Sequence, residues 1–183
     1  MASVTFQLDE NDFLTSLLFL ASKSDQIKKI RQRNKIVIPL LYVGLGLLLG
    51  LWGSDIGFLV TFLVVGFLWF LLYPLWEKRR YVNHYKQYIQ ETYKERIGKN
   101  MTVEFNNEFV VARDSGSETK TLTTVLDEIN EISSLIILRM KSGQTFILPK
   151  DKIMNVDSVI VELKDLAACL KIQYIVDEKW EWK

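Results

Sequence analysis

Between Ile36 and Trp76 the chain carries one charged side chain, Asp55, with apolar runs on both sides of it. The first run, residues 36–52, is 17 residues long, and the second, residues 56–76, is 21. About 20 helical residues cross the hydrocarbon core of a bilayer. Gly53-Ser54-Asp55 is only long enough for a turn. The pattern therefore predicts a transmembrane helical hairpin over 36–76. A buried hairpin in a water-soluble core would also be apolar all round, but a 183-residue chain has too small a core to enclose it. Trp52, Trp69, Tyr73 and Trp76 lie near the ends of the runs, where amphipathic rings favour the headgroup layer.

Lys28, Lys29, Arg31, Arg33 and Lys35 precede the hairpin, and Lys78, Arg79 and Arg80 follow it. The turn has no cation. By the positive-inside rule this predicts a two-pass protein with both termini cytoplasmic and the turn on the far side. With no apolar run before residue 36, no N-terminal secretory signal peptide is expected. The single cysteine, Cys169, cannot close an intramolecular disulfide and reads as a small, reduced core residue. Residues 1–100 hold 13 Lys+Arg against 8 Asp+Glu, and residues 101–183 hold 10 against 14. The long C-terminal part is thus net −4 and has no basic stripe, so no nucleic-acid partner is expected. The flanking cations set topology, and they are also suited to attract anionic lipid.

Residues 1–35 read as a strand, Val4–Leu8, and an amphipathic helix capped by Asp9, with Phe13, Leu14, Leu17, Leu18 and Ala21 on its apolar face. So short a piece cannot bury that face alone, and docking on the cytoplasmic domain is expected. Residues 77–98 read as a juxtamembrane helix ended by Gly98 at C′. On it Tyr81, Tyr85 and Tyr88 share one face. Residues 99–183 turn to strands: hairpins over 101–113 and 135–148, a further strand at 119–122, and a short helix or bend at 123–130. A helix capped by Asp157 runs to about Leu170, burying Val159, Ile160, Leu163, Leu166, Ala167 and Leu170, and a strand at 171–176 ends the domain. The expected fold class is α+β: a transmembrane hairpin with a small antiparallel β-rich cytoplasmic domain closed by a C-terminal helix.

Three stretches carry a family likeness. Asn11-Asp12-Phe13 follows the first strand, the paired apolar segments occupy the middle, and Phe146-Ile147-Leu148-Pro149-Lys150 ends the last hairpin. Together they resemble the YcxB-like family of bacterial membrane proteins over nearly the whole chain. The sequence departs from that family's pattern at Asp151 and Ile153, where Arg and Phe are common, and Asp151 partly cancels Lys150. The resemblance implies a bacterial inner-membrane location and a small β-rich domain of pleckstrin-homology-like geometry, with no catalytic activity attached.

No nucleophile elbow, phosphate loop, dinucleotide fingerprint or zinc-ligand spacing occurs, so no catalytic, metal or cofactor-binding residue is assigned. His84 has no second His, Cys or spaced carboxylate in reach and is a poor candidate for a metal ligand. Gly46 and Gly50 form a GxxxG, continued by Gly53 and Gly57, which suits packing within the hairpin or a homodimer through the glycine face. Pro149 and Lys150 are candidates for contact with a partner, as are Tyr81, Tyr85 and Tyr88; the plainer reading is a strand end with a solvated lysine for the first two and a packing surface for the tyrosines. The leading reading is a non-enzymatic, membrane-tethered protein-interaction module. An immunity protein that neutralises a cognate toxin by binding is the alternative, and a lipid-headgroup-binding adaptor is a further one. A transporter fits worst, because neither apolar run has an ionisable residue at mid-membrane.

Overall fold

A computed structural model describes residues 2–53, 56–114 and 116–182. The elements run β1 (Ala2–Gln7), α1 (Glu10–Lys23), α2 (Asp25–Gly53), α3 (Ile56–Thr92), β2 (Asn100–Phe105), β3 (Phe109–Arg113), β4 (Glu118–Leu122), β5 (Leu126–Ile132), β6 (Leu135–Met140), β7 (Thr145–Pro149), α4 (Val156–Leu170) and β8 (Gln173–Asp177). Compactness divides the chain into two units. One holds residues 1–17 and 86–181 and is β-rich; the other holds residues 18–85 with 182–183 and is helical.

In the β-rich unit the first sheet has the order β1-β2-β3-β4, antiparallel throughout. Alternation sorts β1 into a buried set, Val4 and Phe6, and an exposed set, Ser3, Thr5 and Gln7. The register places Val4 opposite Val103, and Phe105 opposite Val110, on the buried face. The other face is a polar ladder: Thr5 to Thr102 at 3.0 Å, Gln7 to Asn100 at 2.9 Å, and Arg113 to Glu104 at 2.6 Å. The N-terminal strand is thus a full member of the sheet.

The second sheet, β7-β6-β5-β8, is mixed, because β8 runs parallel to β5. That corrects the expectation of a purely antiparallel domain. Its centre is β6, where Leu135, Ile136, Ile137 and Leu138 are all fully buried, so both faces of the strand are covered. Residues 123–130, expected as a short helix or bend, are instead a 3-10 turn at Thr123–Val125 followed by most of β5. A register shift between Leu126 and Glu128 hides the strand's alternation. The turn ties both sheets together: Thr123 donates its N–H to Glu108 O at 2.9 Å and its hydroxyl to Asn107 O at 2.7 Å, while Lys141 N–H reaches Val125 O at 2.9 Å.

Helix ends follow local chemistry. At the start of α1, Asp9 Oδ1 accepts the Asp12 N–H and Asp12 Oδ2 accepts the Asp9 N–H, both at 2.9 Å, forming a reciprocal capping box. The expected cap of α4 is corrected: Asn155, at φ 56°, holds that position, and Asp157 lies within the first turn. There its carboxylate still faces the positive end of the helix. On α4, Val159, Leu163, Leu166 and Ala167 are buried, whereas Ile160 and Leu170 are only half-buried. Cys169 is exposed, which overturns its reading as a core residue. The α3 helix ends at Thr92, five residues before the expected stop at Ile97. Turns follow to Gly98, whose φ of 73° suits a residue without Cβ and whose N–H donates to Leu8 O at 2.9 Å, setting β2 beside β1.

In the helical unit, α2 and α3 contain two segments long and apolar enough to cross a membrane.

Candidate functional site

The helical unit presents its apolar side chains outward. Only 6% of the most apolar window of α2 and 11% of that of α3 is buried, far too little for the central helices of a water-soluble core. Leu40, Leu51, Trp52, Ile56, Phe67 and Leu75 are each more than 60% exposed. The face on which α2 meets α3 is narrow. A Cβ at Gly46 would lie 2.8 Å from Phe62 Cβ, and one at Gly66 would lie 3.6 Å from Pro39 O. Of the glycines singled out from sequence, Gly46 is the one buried against the neighbouring helix; Gly50 is half-buried and Gly57 exposed, and the side of Gly53 falls outside the described residues, as does Asp55. Gly66 was missed because it lies outside the GxxxG spacing. Gly46→Ala should force the helices apart at a rigid contact and cost about 1–3 kcal/mol. Gly44→Ala, with nothing within 4 Å, should be silent. Thermal unfolding of the two variants in detergent compares them directly.

Along the same contact face, Glu77 and Tyr73 are each 5% exposed. Arg31 Nε donates to Glu77 Oε2 and the Tyr73 hydroxyl donates to Glu77 Oε1, both at 2.9 Å. The Arg31 guanidinium also stacks on Trp182 at 4.8 Å and lies 6.0 Å from the Tyr81 ring. Trp182 in turn lies 5.5 Å from Tyr81 and is 6% exposed. Sequence reasoning treated Arg31 only as a topology signal and assigned no role to Glu77 or Trp182. Their partners lie 46 and 151 positions from Arg31, beyond any local pattern.

The tyrosine stripe is divided. Tyr81 and Tyr85, 6.3 Å apart and half-buried, belong to the helical unit. Tyr88, exposed and 6.0 Å from Tyr93, belongs to the β-rich unit. His84 contacts Tyr85 at 5.5 Å.

At the strand-end corner Pro149 closes β7, buried and opposite Leu135. Lys150 donates to Glu131 Oε1 at 2.7 Å, so its counter-charge is Glu131 on β5. Glu131 Oε2 accepts the Tyr174 hydroxyl at 2.7 Å. Burial would raise the Glu131 carboxyl, but the hydrogen bonds from Lys150 and Tyr174 outweigh it and hold the group below its usual range. Burial, and next the hydrogen bond to Glu131, push the Tyr174 phenol up. A second network joins Lys152 to Asp9 and Asp12, at 2.6 Å each. The Lys152 hydrogen bond lowers Asp9, whereas burial raises Asp12.

Glu131 is a carboxylate held low in the folded state, so the stability it contributes is complete above its unfolded value near 4.5 and is lost as pH falls through the lower folded value. Lys150→Gln should remove about 2 kcal/mol at pH 7 and flatten this acid limb. Denaturant titrations at pH 7 and in steps below 4.5 check both effects.

Among the described residues, two of the open grooves lie on the β-rich unit. One, of about 500 Å³, lies between the β2–β3 turn and α4, with Phe105 and Leu166 beside Glu108, Glu162, Asp165 and Cys169. The other, of about 440 Å³, is lined by residues that include Lys94, Arg96, Lys99 and Asp114. The first brings carboxylates to a thiol without a histidine. Among the described residues no cluster of three His, Cys, Asp or Glu is arranged to hold a metal ion. No family model matches the chain, and neither a characterised protein nor a solved structure matches it.

Proposed function

We propose that this protein is a two-pass membrane protein whose β-rich unit serves as a non-enzymatic module for binding another protein. The observation that carries the membrane part is the outward exposure of the apolar side chains of α2 and α3. In water such a surface would aggregate; in a bilayer it is solvated, and apart from the bonds lost at Pro39 and Pro74 a helical backbone pairs its own polar groups. The cations at residues 28–35 and 78–80 support termini on the cytoplasmic side. Likeness to the YcxB-like family, with a bacterial inner-membrane location and a pleckstrin-homology-like β unit, forms part of the same proposal.

The binding part is supported by the β-rich unit's chemistry. Its buried charges are spent on holding strands and helix ends together, as in the Glu131–Lys150–Tyr174 and Lys152–Asp9–Asp12 networks. A surface without an acid–base constellation still suffices for recognition. The test is crosslinking in cells followed by purification in mild detergent. A stoichiometric protein partner that survives carbonate washing of the membranes is expected. A chain that washes off, or that purifies alone after crosslinking, would overturn the proposal. A secreted toxin as the dominant partner would move the reading to immunity.

A further inference from the structure

The cations flanking the hairpin are not equivalent. Arg31 is bound to Glu77, Lys28 lies 3.5 Å from Asp25, Lys35 sits 4.7 Å over the Phe70 ring, and Arg80 sits 5.2 Å over Trp76. Lys29, Arg33, Lys78 and Arg79 are exposed and have no ion-pair, hydrogen-bond or ring partner among the described residues. Helical periodicity explains the division. On α2 the residues that face α3 include Lys35, Pro39, Tyr42 and Gly46, spaced by three or four, and Arg31 extends that row. Lys29 and Arg33 are two positions out of step with it, about 200° around the helix. Their row continues through Val37, 42% exposed, and Leu40, 63% exposed, to Gly44, which meets nothing within 4 Å.

The α3 helix repeats the arrangement. Phe62, Gly66, Phe70, Tyr73 and Glu77 form the row toward α2. Arg79 heads the opposite row, above Leu75, Leu72 and Leu68, which are 65%, 57% and 47% exposed. Each helix therefore carries a free cation at the head of an outward apolar column, a pattern matching a phospholipid with an anionic headgroup above its acyl chains.

We propose that Lys29, Arg33, Lys78 and Arg79 form a collar that binds the headgroups of anionic phospholipids, whose acyl chains lie along the outward columns of α2 and α3. The proposal rests on the membrane-anchored reading above. Charge complementarity selects anionic over zwitterionic lipid: among the described residues, the side-chain carboxylates at this end of the helical unit, Asp25 and Glu77, are each paired with a cation. The collar thus goes beyond orienting the chain and gives the hairpin a preferred lipid shell.

The full chain is purified and reconstituted into phosphatidylcholine bilayers. Electron spin resonance then measures the motionally restricted fraction of spin-labelled phosphatidylglycerol and of spin-labelled phosphatidylcholine. Phosphatidylglycerol should associate about fivefold more strongly, and the preference should shrink as salt rises. It should fall toward unity in Lys29→Gln/Arg33→Gln/Lys78→Gln/Arg79→Gln, and part-way in the milder Arg33→Gln/Arg79→Gln, while restricted phosphatidylcholine stays unchanged. Equal association of both lipids with the wild-type chain would overturn the collar alone. No restricted component from either lipid would overturn the membrane reading, and the collar with it.

Discussion

Phe6→Asp should unfold the β-rich unit. Phe6 is 4% exposed, lies on β1 opposite Met101 and belongs to the buried face that also holds Val4, Val103 and Phe105. An aspartate there would place a charge in an apolar layer without a partner, and the loss of the ring would add a cavity. The two effects together cost several kcal/mol, a large part of the 5–15 kcal/mol by which a domain is stable. Thr5→Asp, on the polar face beside Thr102, is the matched control and should change stability little. Circular dichroism melts of the full chain in detergent separate the two outcomes, since helical signal from α2 and α3 should persist while the strand contribution is lost. Equal stability of Phe6→Asp and the wild type would show that the N-terminal strand is dispensable to the sheet.

Arg31→Ala should be the most damaging single change in the helical unit. Glu77 would keep its hydrogen bond from Tyr73 but lose its counter-charge while 5% exposed. Breaking one side of such a pair costs about 3–5 kcal/mol. The Trp182 and Tyr81 rings would lose their cation as well. Arg31→Met/Glu77→Leu should recover most of the loss, because an apolar pair of similar volume leaves no buried charge behind. Glu77→Ala and Arg31→Ala/Glu77→Ala complete a double-mutant cycle, in which a coupling near zero would mean that the pair is not engaged. Intrinsic fluorescence during thermal unfolding in detergent reads all five proteins, wild type included.

Period and composition made the helices, the first hairpin strands and β1 legible in the sequence, because each of these elements has one face in a different medium from the other. Val4, Phe6 and Leu8 alternate with polar residues for that reason, whereas residues 36–76 stand out by their nearly unbroken apolar composition. Strand β5 was not legible. It lies inside the second sheet, buries Asn130 and Glu131 beside Ile129 and Ile132, and shifts register near its start, so alternation is lost. The parallel pairing of β8 with β5 was equally hidden, since a strand's own residues do not name its neighbour. The exposure of Cys169 followed from the phase of α4: it lies two positions beyond Ala167, on the side away from Leu163 and Leu166. The roles of Lys150 and Arg31 depended on Glu131 and Glu77, partners 19 and 46 positions away. Charge patterning could place those cations near a membrane or a corner, but not show which were already neutralised.

The central claim is that residues 36–76 cross a bilayer and return. Labelling of intact cells with a membrane-impermeant maleimide, in a Cys169→Ser background, tests it most directly. Since Cys169 is exposed and makes no disulfide, this background should fold normally. Ser54→Cys, which falls between α2 and α3 in the sequence, should label in intact cells. Ser117→Cys, in the β-rich unit before β4, should label only after lysis. Labelling of Ser117→Cys in intact cells with protection of Ser54→Cys, or recovery of the chain in the soluble fraction, would contradict the account.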